Sequence, residues 1–242
     1  MVLTLAAGCA TSAPPPPTRL AVHVDRLAAA EVQRFEQARL RFVAELKRRG
    51  VSDHRGLFLK IGDSTYYSIV SFAAWRELDM LRGERARAVA RLDPAANQQY
   101  DRQSDASLVF PHASEIWSEQ PELSFVPTGR RLSDAVQLVI EDVKPTAEED
   151  YAAAWKEIAA ALRTARFPVE RRSFFSQYGS GRTLSFWLAS SPAVVKAAPT
   201  LVQALVAALG EERARALVER WRACVLSTQT LDVEARPEMS SY

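Results

Sequence analysis

Gln120-Pro121-Glu122-Leu123-Ser124 returns near the end of the chain as Arg236-Pro237-Glu238-Met239-Ser240, 116 positions later in a sequence of 242 residues. A five-residue echo gains meaning only if other features repeat at the same spacing. They do. The amphipathic stripe of Phe35, Ala38, Phe42 and Leu46 is matched 116 positions on by Tyr151, Ala154, Ile158 and Leu162, and Val22 and Val24 are matched by Leu138 and Ile140. One structural unit is written twice, so reading either copy gives the fold of both.

In the first copy, Leu20 to Asp25 alternates apolar and polar residues as a half-buried strand does. A helix is expected from about Ala28 to Arg49, burying the Phe35 stripe, with Gly50 as its stop. Leu57 to Ile61 and Thr65 to Phe72 read as a hairpin about Gly62-Asp63. A second helical region holds Trp75, Leu78 and Leu81, is interrupted near Gly83 and breaks at Asp93-Pro94. A polar stretch through Gln98, Tyr100 and Asp105 leads to a last strand at Glu115 to Glu119.

The second copy repeats the order. It has a strand from Val136 to Glu141, a helix opened by the capping box of Thr146 and Glu149, and a hairpin of Arg172 to Gln177 and Thr183 to Ala189 around Gly179-Ser180-Gly181. Helices at 201–209 and 211–226 precede a closing strand from Thr230 to Ala235. Placing Thr65 against Thr183 gives the hairpin an offset of 118 instead of 116.

Each copy reads βαββαβ, the ferredoxin-like pattern in which helices cover one face of an antiparallel sheet. Two copies in one chain can cover the remaining faces by packing them together. The expected fold is α+β: tandem ferredoxin-like units at 20–126 and 132–242, packed sheet to sheet as a pseudo-dimeric α/β barrel. The element order, the turns at Gly62 and Gly179/Gly181, the alanine-rich second helices with Leu209-Gly210-Glu211 and the two closing motifs resemble the dimeric α/β-barrel group, which includes antibiotic-biosynthesis-monooxygenase-like and NIPSNAP-like proteins. The resemblance covers nearly the whole chain after residue 20. It implies either a binding module or an enzyme of the cofactor-free monooxygenase-like or haem-dependent kind.

Residues 1–19 stand apart. Met1 to Ser12 resembles the end of a bacterial lipoprotein signal peptide, in which small residues precede a cysteine, here Cys9, that becomes acylated. Ala6 stands where that family prefers leucine, and no Lys or Arg precedes the apolar run, so a start upstream of Met1 is expected. Pro14 to Pro17 favours an extended polyproline path and reads as a spacer. The expectation is a cell-envelope lipoprotein, tethered to the membrane through Cys9 on the periplasmic side of the outer membrane.

The chain is 48% hydrophobic and 25% charged, enough apolar residues for a sizeable core. Its net charge of +2 is scattered, so no basic stripe for a phosphate backbone exists and nucleic acid is excluded as a partner. No G-x-S-x-G, H-E-x-x-H, P-loop or Cys-x-x-Cys pattern occurs. His23, His54 and His112 lack helical ligand spacing, so neither a metal nor a resident cofactor is expected. The barrel resemblance keeps haem as an alternative, through His112 or His23. Cys224 shares helical spacing with Leu217 and Trp221 and reads as a small buried hydrophobe.

Strand parity supplies a candidate ligand site. Leu184, Phe186 and Leu188 form a wholly apolar set suited to packing under helices, as do Val22/Val24 and Leu138/Ile140. That leaves Thr183, Ser185, Trp187 and Ala189, the Tyr67 row, and His23, Asp25 and Glu141 for the barrel interior. There Tyr67 and Trp187 would embrace a small apolar or aromatic ligand, with His23 and Glu141 orienting it and Ser185 beside them. The alternative is a solid barrel filled by the same side chains. Asp25 and Glu141 are equivalent across the repeat, and read either as an acid/base pair or as solvated strand ends.

Overall fold

The computed structural model describes residues 18–51, 56–109, 113–177 and 181–240. The first copy contributes β1 (Arg19–Arg26), β2 (Leu57–Ile61), β3 (Thr65–Phe72) and β4 (Ala113–Glu119); the second contributes β5 (Ala135–Val143), β6 (Glu170–Ser176), β7 (Arg182–Leu188) and β8 (Val225–Ala235). They form a closed eight-stranded barrel in the order β1-β3-β2-β8-β5-β7-β6-β4. The four strands of each copy stay contiguous, and two antiparallel junctions, β2 with β8 and β4 with β6, close the ring. Closure gives every strand a neighbour on both sides, over three residues at each junction, where an open four-stranded sheet would expose two whole edges.

Helices coat the outside. α1 (Val32–Arg48) and α4 (Glu148–Thr164) begin and end 116 positions apart, and their buried faces carry Phe35, Ala38, Phe42 and Leu46 against Tyr151, Ala154, Ile158 and Leu162. The expected Thr146 capping box does not form. A short 3-10 turn at Pro145–Ala147 precedes α4, Ala147 is its N-cap, and Glu148, Glu149 and Asp150 favour the positive end of the helix dipole instead.

α2 (Trp75–Ala90) runs through Gly83 unbroken. The polar stretch after it is a further helix, α3 (Pro94–Asp105), whose start is set by Asp93 accepting the Ala95 N–H at 3.2 Å and by Pro94 in the first turn. α3 packs on α1 through Tyr100 stacked on Phe42, ring centroids 4.4 Å apart. In the second half α5 (Pro192–Ala197), α6 (Leu201–Leu209) and α7 (Glu211–Cys224) follow β7, and β8 starts directly after α7, five residues before the expected strand.

The interior corrects the strand-parity expectation. One cluster of buried side chains draws on all eight strands and on none of the α-helices: Val22, Val24, Tyr67, Ile69, Trp117, Leu138, Ile140, Phe174, Leu184, Phe186 and Leu188 are among its members. The sets assigned to the helices therefore fill the barrel, and His23, Asp25, Glu141, Thr183, Ser185 and Trp187 lie on its outer face. Only the Tyr67 row was placed on the right side. Register gives the reason: Val22 pairs Ile69 while Leu138 pairs Phe186, so the hairpins correspond at 117, not 118. A slip of one residue turns every side chain of a strand to the other face. The physical preference agrees, because the inside of a small barrel is walled off all round and takes the most apolar rows.

The two closing motifs are exchanged between halves. Gln120 N donates to Ser173 O at 2.8 Å and Ser173 N to Ser124 Oγ at 3.1 Å, tying the first motif to β6 of the second half. Arg236 N donates to Phe58 O and Phe58 N to Ser240 Oγ, both at 2.9 Å, tying the second motif to β2 of the first. Each copy thus finishes by fastening its partner.

Candidate functional site

The five candidate ligand residues fall in three places. Tyr67 lies inside the barrel, where burial pushes its hydroxyl pKa up to about 12. Glu141, Ser185 and Trp187 share the outer face of β5 and β7, under α4, α6 and α7. His23 lies on the outer face of β1, under α1 and α3. Tyr67 and Trp187 are therefore separated by the sheet itself and cannot embrace one ligand.

The patch under the second-half helices satisfies most of its own polarity. Tyr151 on α4 donates from its hydroxyl to Glu141 at 2.6 Å, and Trp221 on α7 donates to the other Glu141 oxygen at 3.0 Å. Arg171 is fully buried. It donates to Ser185 Oγ at 2.6 Å and to the Leu123 carbonyl at 2.8 Å, and its guanidinium lies 3.4 Å from the centre of the Trp155 ring. Burial raises the Glu141 pKa and lowers that of Arg171, and each charge in part restores the other. Trp155, Trp187 and Trp221 occupy the remaining space, with Trp187 edge-on to Phe167 and Trp155 edge-on to Trp221. The arrangement fastens helices to sheet.

The equivalent place in the first half differs at several positions, Phe35 for Tyr151 among them. Arg39 stands where α4 has Trp155, 116 residues on. Its Nε donates to the Met239 carbonyl at 3.0 Å, as Arg171 serves the equivalent carbonyl of Leu123, and its guanidinium stacks over Phe58 and Phe42. Without an indole there, a cleft of about 160 Å³ remains between the sheet and α1 and α3, lined by His23, Asp25, Arg39, Phe42, Tyr100, Asp101 and Asp105 among others. His23 Nε2 is 3.3 Å from Asp25, and its Nδ1 is 3.2 Å from Ser114 Oγ. Three carboxylates face one guanidinium and one imidazole, so the cleft is acidic on balance, and its walls include the stacked Phe42 and Tyr100 rings.

Such a cleft can seat a small organic cation between carboxylate and aromatic face. Its His23–Asp25 contact sets an imidazole beside a carboxylate on the same wall. Sequence reasoning found His23 and Asp25 but missed Arg39, Tyr100, Asp101 and Asp105. The available signal was Asp93-Pro94, which marks a helix start and so places one face of α3 against α1.

Haem does not fit here. A drug-sized ligand already needs roughly 300–1,000 Å³, and the cleft that holds His23 offers about 160 Å³. His54, His112 and Cys9 lie outside the described residues. Among the described residues no group of three His, Cys, Asp or Glu is placed to hold a metal ion, and no helix is long and apolar enough to cross a membrane. Cys224 is buried, its thiol donating to the Arg220 carbonyl at 3.2 Å, and burial raises its pKa, as suits a packing residue.

Comparison with known proteins bears on the fold. No protein-family model matches the chain, and neither does any curated protein sequence. Among solved structures, a candidate monooxygenase from Fusobacterium nucleatum superposes with a TM-score of 0.56 at 10% identity, over 91% of this chain and 93% of that one. A second, from Lactobacillus acidophilus, gives 0.52 at 11% identity over 90% and 94%. A chlorite dismutase from Candidatus Nitrospira defluvii gives 0.48 at 13% identity over 91% and 92%. The first two likenesses show the fold alone, a closed eight-stranded α+β barrel.

Proposed function

We propose that this chain is a non-enzymatic binding module for a small amine, displayed from a bacterial cell envelope. The observation that carries the reading is the contrast between two equivalent places: the second is plugged by Trp155 over Arg171, and the first holds Arg39 and an open acidic cleft with aromatic walls. A small arylalkyl primary amine matches that cleft in charge and size, its ammonium toward Asp25, Asp101 or Asp105 and its carbon body against Phe42 and Tyr100. The barrel is read as two ferredoxin-like units, 20–126 and 132–242, within one chain. The common 116-residue offset and the exchanged closing motifs support that reading.

Localisation rests on Cys9 and the Pro14 to Pro17 spacer, in the manner of an acylated lipoprotein facing the periplasm. Expressed behind an intact signal, the parent should sediment with membranes and a Cys9→Ser variant should be soluble. Equal fractionation of the two sinks the tether.

The binding test is calorimetric titration of the purified protein with phenethylamine. Saturable binding is expected, weakened at least tenfold in Asp25→Asn with the melting midpoint retained. No saturable binding, or binding indifferent to Asp25, overturns the reading. One observation favours a second reading, base catalysis: the 3.3 Å contact of His23 with Asp25 at the cleft wall. It predicts turnover of a weakly acidic substrate that His23→Gln abolishes.

A further inference from the structure

The two ends of the barrel finish differently. At the end where β5 stops and β7 starts, Arg182 lies between Glu115 at 3.7 Å and Asp142 at 3.4 Å. Ser227 donates to Asp142 at 2.5 Å, and Trp117 donates to Glu115 at 3.1 Å. Every charge named there has an opposite one from this chain.

The other end, where β6 starts, also carries an ion pair but leaves a buried N–H unused. Arg172 occupies an inward-facing position, paired across the strands with Phe186 of the interior cluster. It lies 3.6 Å from Glu119, an ion pair without a hydrogen bond, and its buried Nε has no acceptor among the described residues. This end opens into a recess of about 680 Å³ lined by Leu57, Ser71, Leu132 and Ala235, with Arg172 and Arg131 on its wall. Asp134 is also on the rim, but its carboxylate accepts the Arg131 backbone N–H at 3.1 Å.

We infer that this mouth of the barrel binds a small organic carboxylate through Arg172, with the apolar body of the ligand lying along Leu57, Leu132 and Ala235. The Arg172 side chain is 25% exposed and lines the recess, and a carboxylate presents two oxygens to the edge of a guanidinium in the geometry it matches best. The recess has the volume of an ordinary small-molecule pocket. Its apolar lining belongs to, or packs against, the interior cluster, so a hydrocarbon chain entering it gains contact with a surface that is already dry. The site is separate from the acidic cleft, which lies outside the barrel wall and carries the opposite balance of charge.

The test is calorimetric titration of the full chain with sodium octanoate and, separately, with octanamide, which keeps the tail and removes the charge. Octanoate should saturate one site and bind at least tenfold more tightly than the amide. Arg172→Gln should bring octanoate down to the affinity of the amide, and Arg172→Lys should restore part of the difference. Should Arg172→Gln fail to fold, Ala235→Trp, which fills the recess and leaves the charges alone, should abolish octanoate binding. Asp25→Asn in the outer cleft should leave octanoate unaffected. The inference is overturned if the parent shows no saturable octanoate binding, if octanamide binds as well as octanoate, if Ala235→Trp binds octanoate undiminished, or if Asp25→Asn loses it.

Discussion

Position 39 and its counterpart 155 show one residue-scale difference between the halves. An arginine on α1 leaves a cleft, whereas an indole on α4 closes one, and the carbonyl that Arg39 serves is reached in the second half by Arg171 from the strand. Neither role is legible locally, because an arginine within an amphipathic helix usually faces water. Glu141 gives a test at the same scale. Burial raises its pKa, so the folded protein holds this proton more tightly than the unfolded chain does. The resulting stability is present below the ordinary carboxylate range of about 4.3 and is lost as pH rises through the folded value. Glu141→Gln cannot ionise and keeps an oxygen for the Tyr151 hydroxyl. Chemical denaturation from pH 4 to pH 8 should therefore show the variant gaining on the parent as pH rises, and a constant or shrinking difference would count against a buried, strained carboxylate.

Among the elements, the closing motifs have the clearest energetic role. Ser124 accepts the Ser173 N–H and donates to the Gln120 carbonyl; Ser240 accepts the Phe58 N–H and donates to the Arg236 carbonyl. Ser124→Ala and Ser240→Ala each leave a buried backbone N–H without its acceptor, which costs about 1–3 kcal/mol. Urea titrations should give similar losses for both. A change within about 0.5 kcal/mol, the range of ordinary surface substitutions, would mean that the motifs are passengers. At this scale the repeat was readable, and so were seven of the eight strands to within two or three residues at each end. The facing of the strands was not, because the hairpin offset hinges on one residue, and sequence alone cannot say whether the drier side of a sheet lies under helices or inside a closed ring. Giving the apolar rows to the helices misplaced the Trp187 row, and the one-residue error in offset then carried the Tyr67 row to its correct side.

The whole molecule is tied together by its two junctions, β2 with β8 and β4 with β6, and by an interior cluster to which both halves contribute. Neither half has a finished core alone. The chain should therefore unfold in one cooperative transition, with tryptophan fluorescence and far-ultraviolet circular dichroism giving coincident curves. Trp155, Trp187 and Trp221 report the second half and Trp117 the β4 junction, so a fluorescence transition separated from the dichroism one would show that the halves are independent.

The sequence by itself determined the repeat, the order of strands and helices in each copy, and the apolar rows available to fill a core. These are local or periodic properties, set by side-chain spacing along one element at a time. Only the tertiary structure decided which row faces inward, that Arg39 and Arg171 serve equivalent carbonyls from different elements, and that one barrel end leaves the buried Arg172 Nε without an acceptor among the described residues. Each of these depends on groups brought together from distant parts of the chain, Arg39 with Met239 and Arg171 with Leu123 among them. Closing the ring puts them in contact, and no pattern along the chain records it.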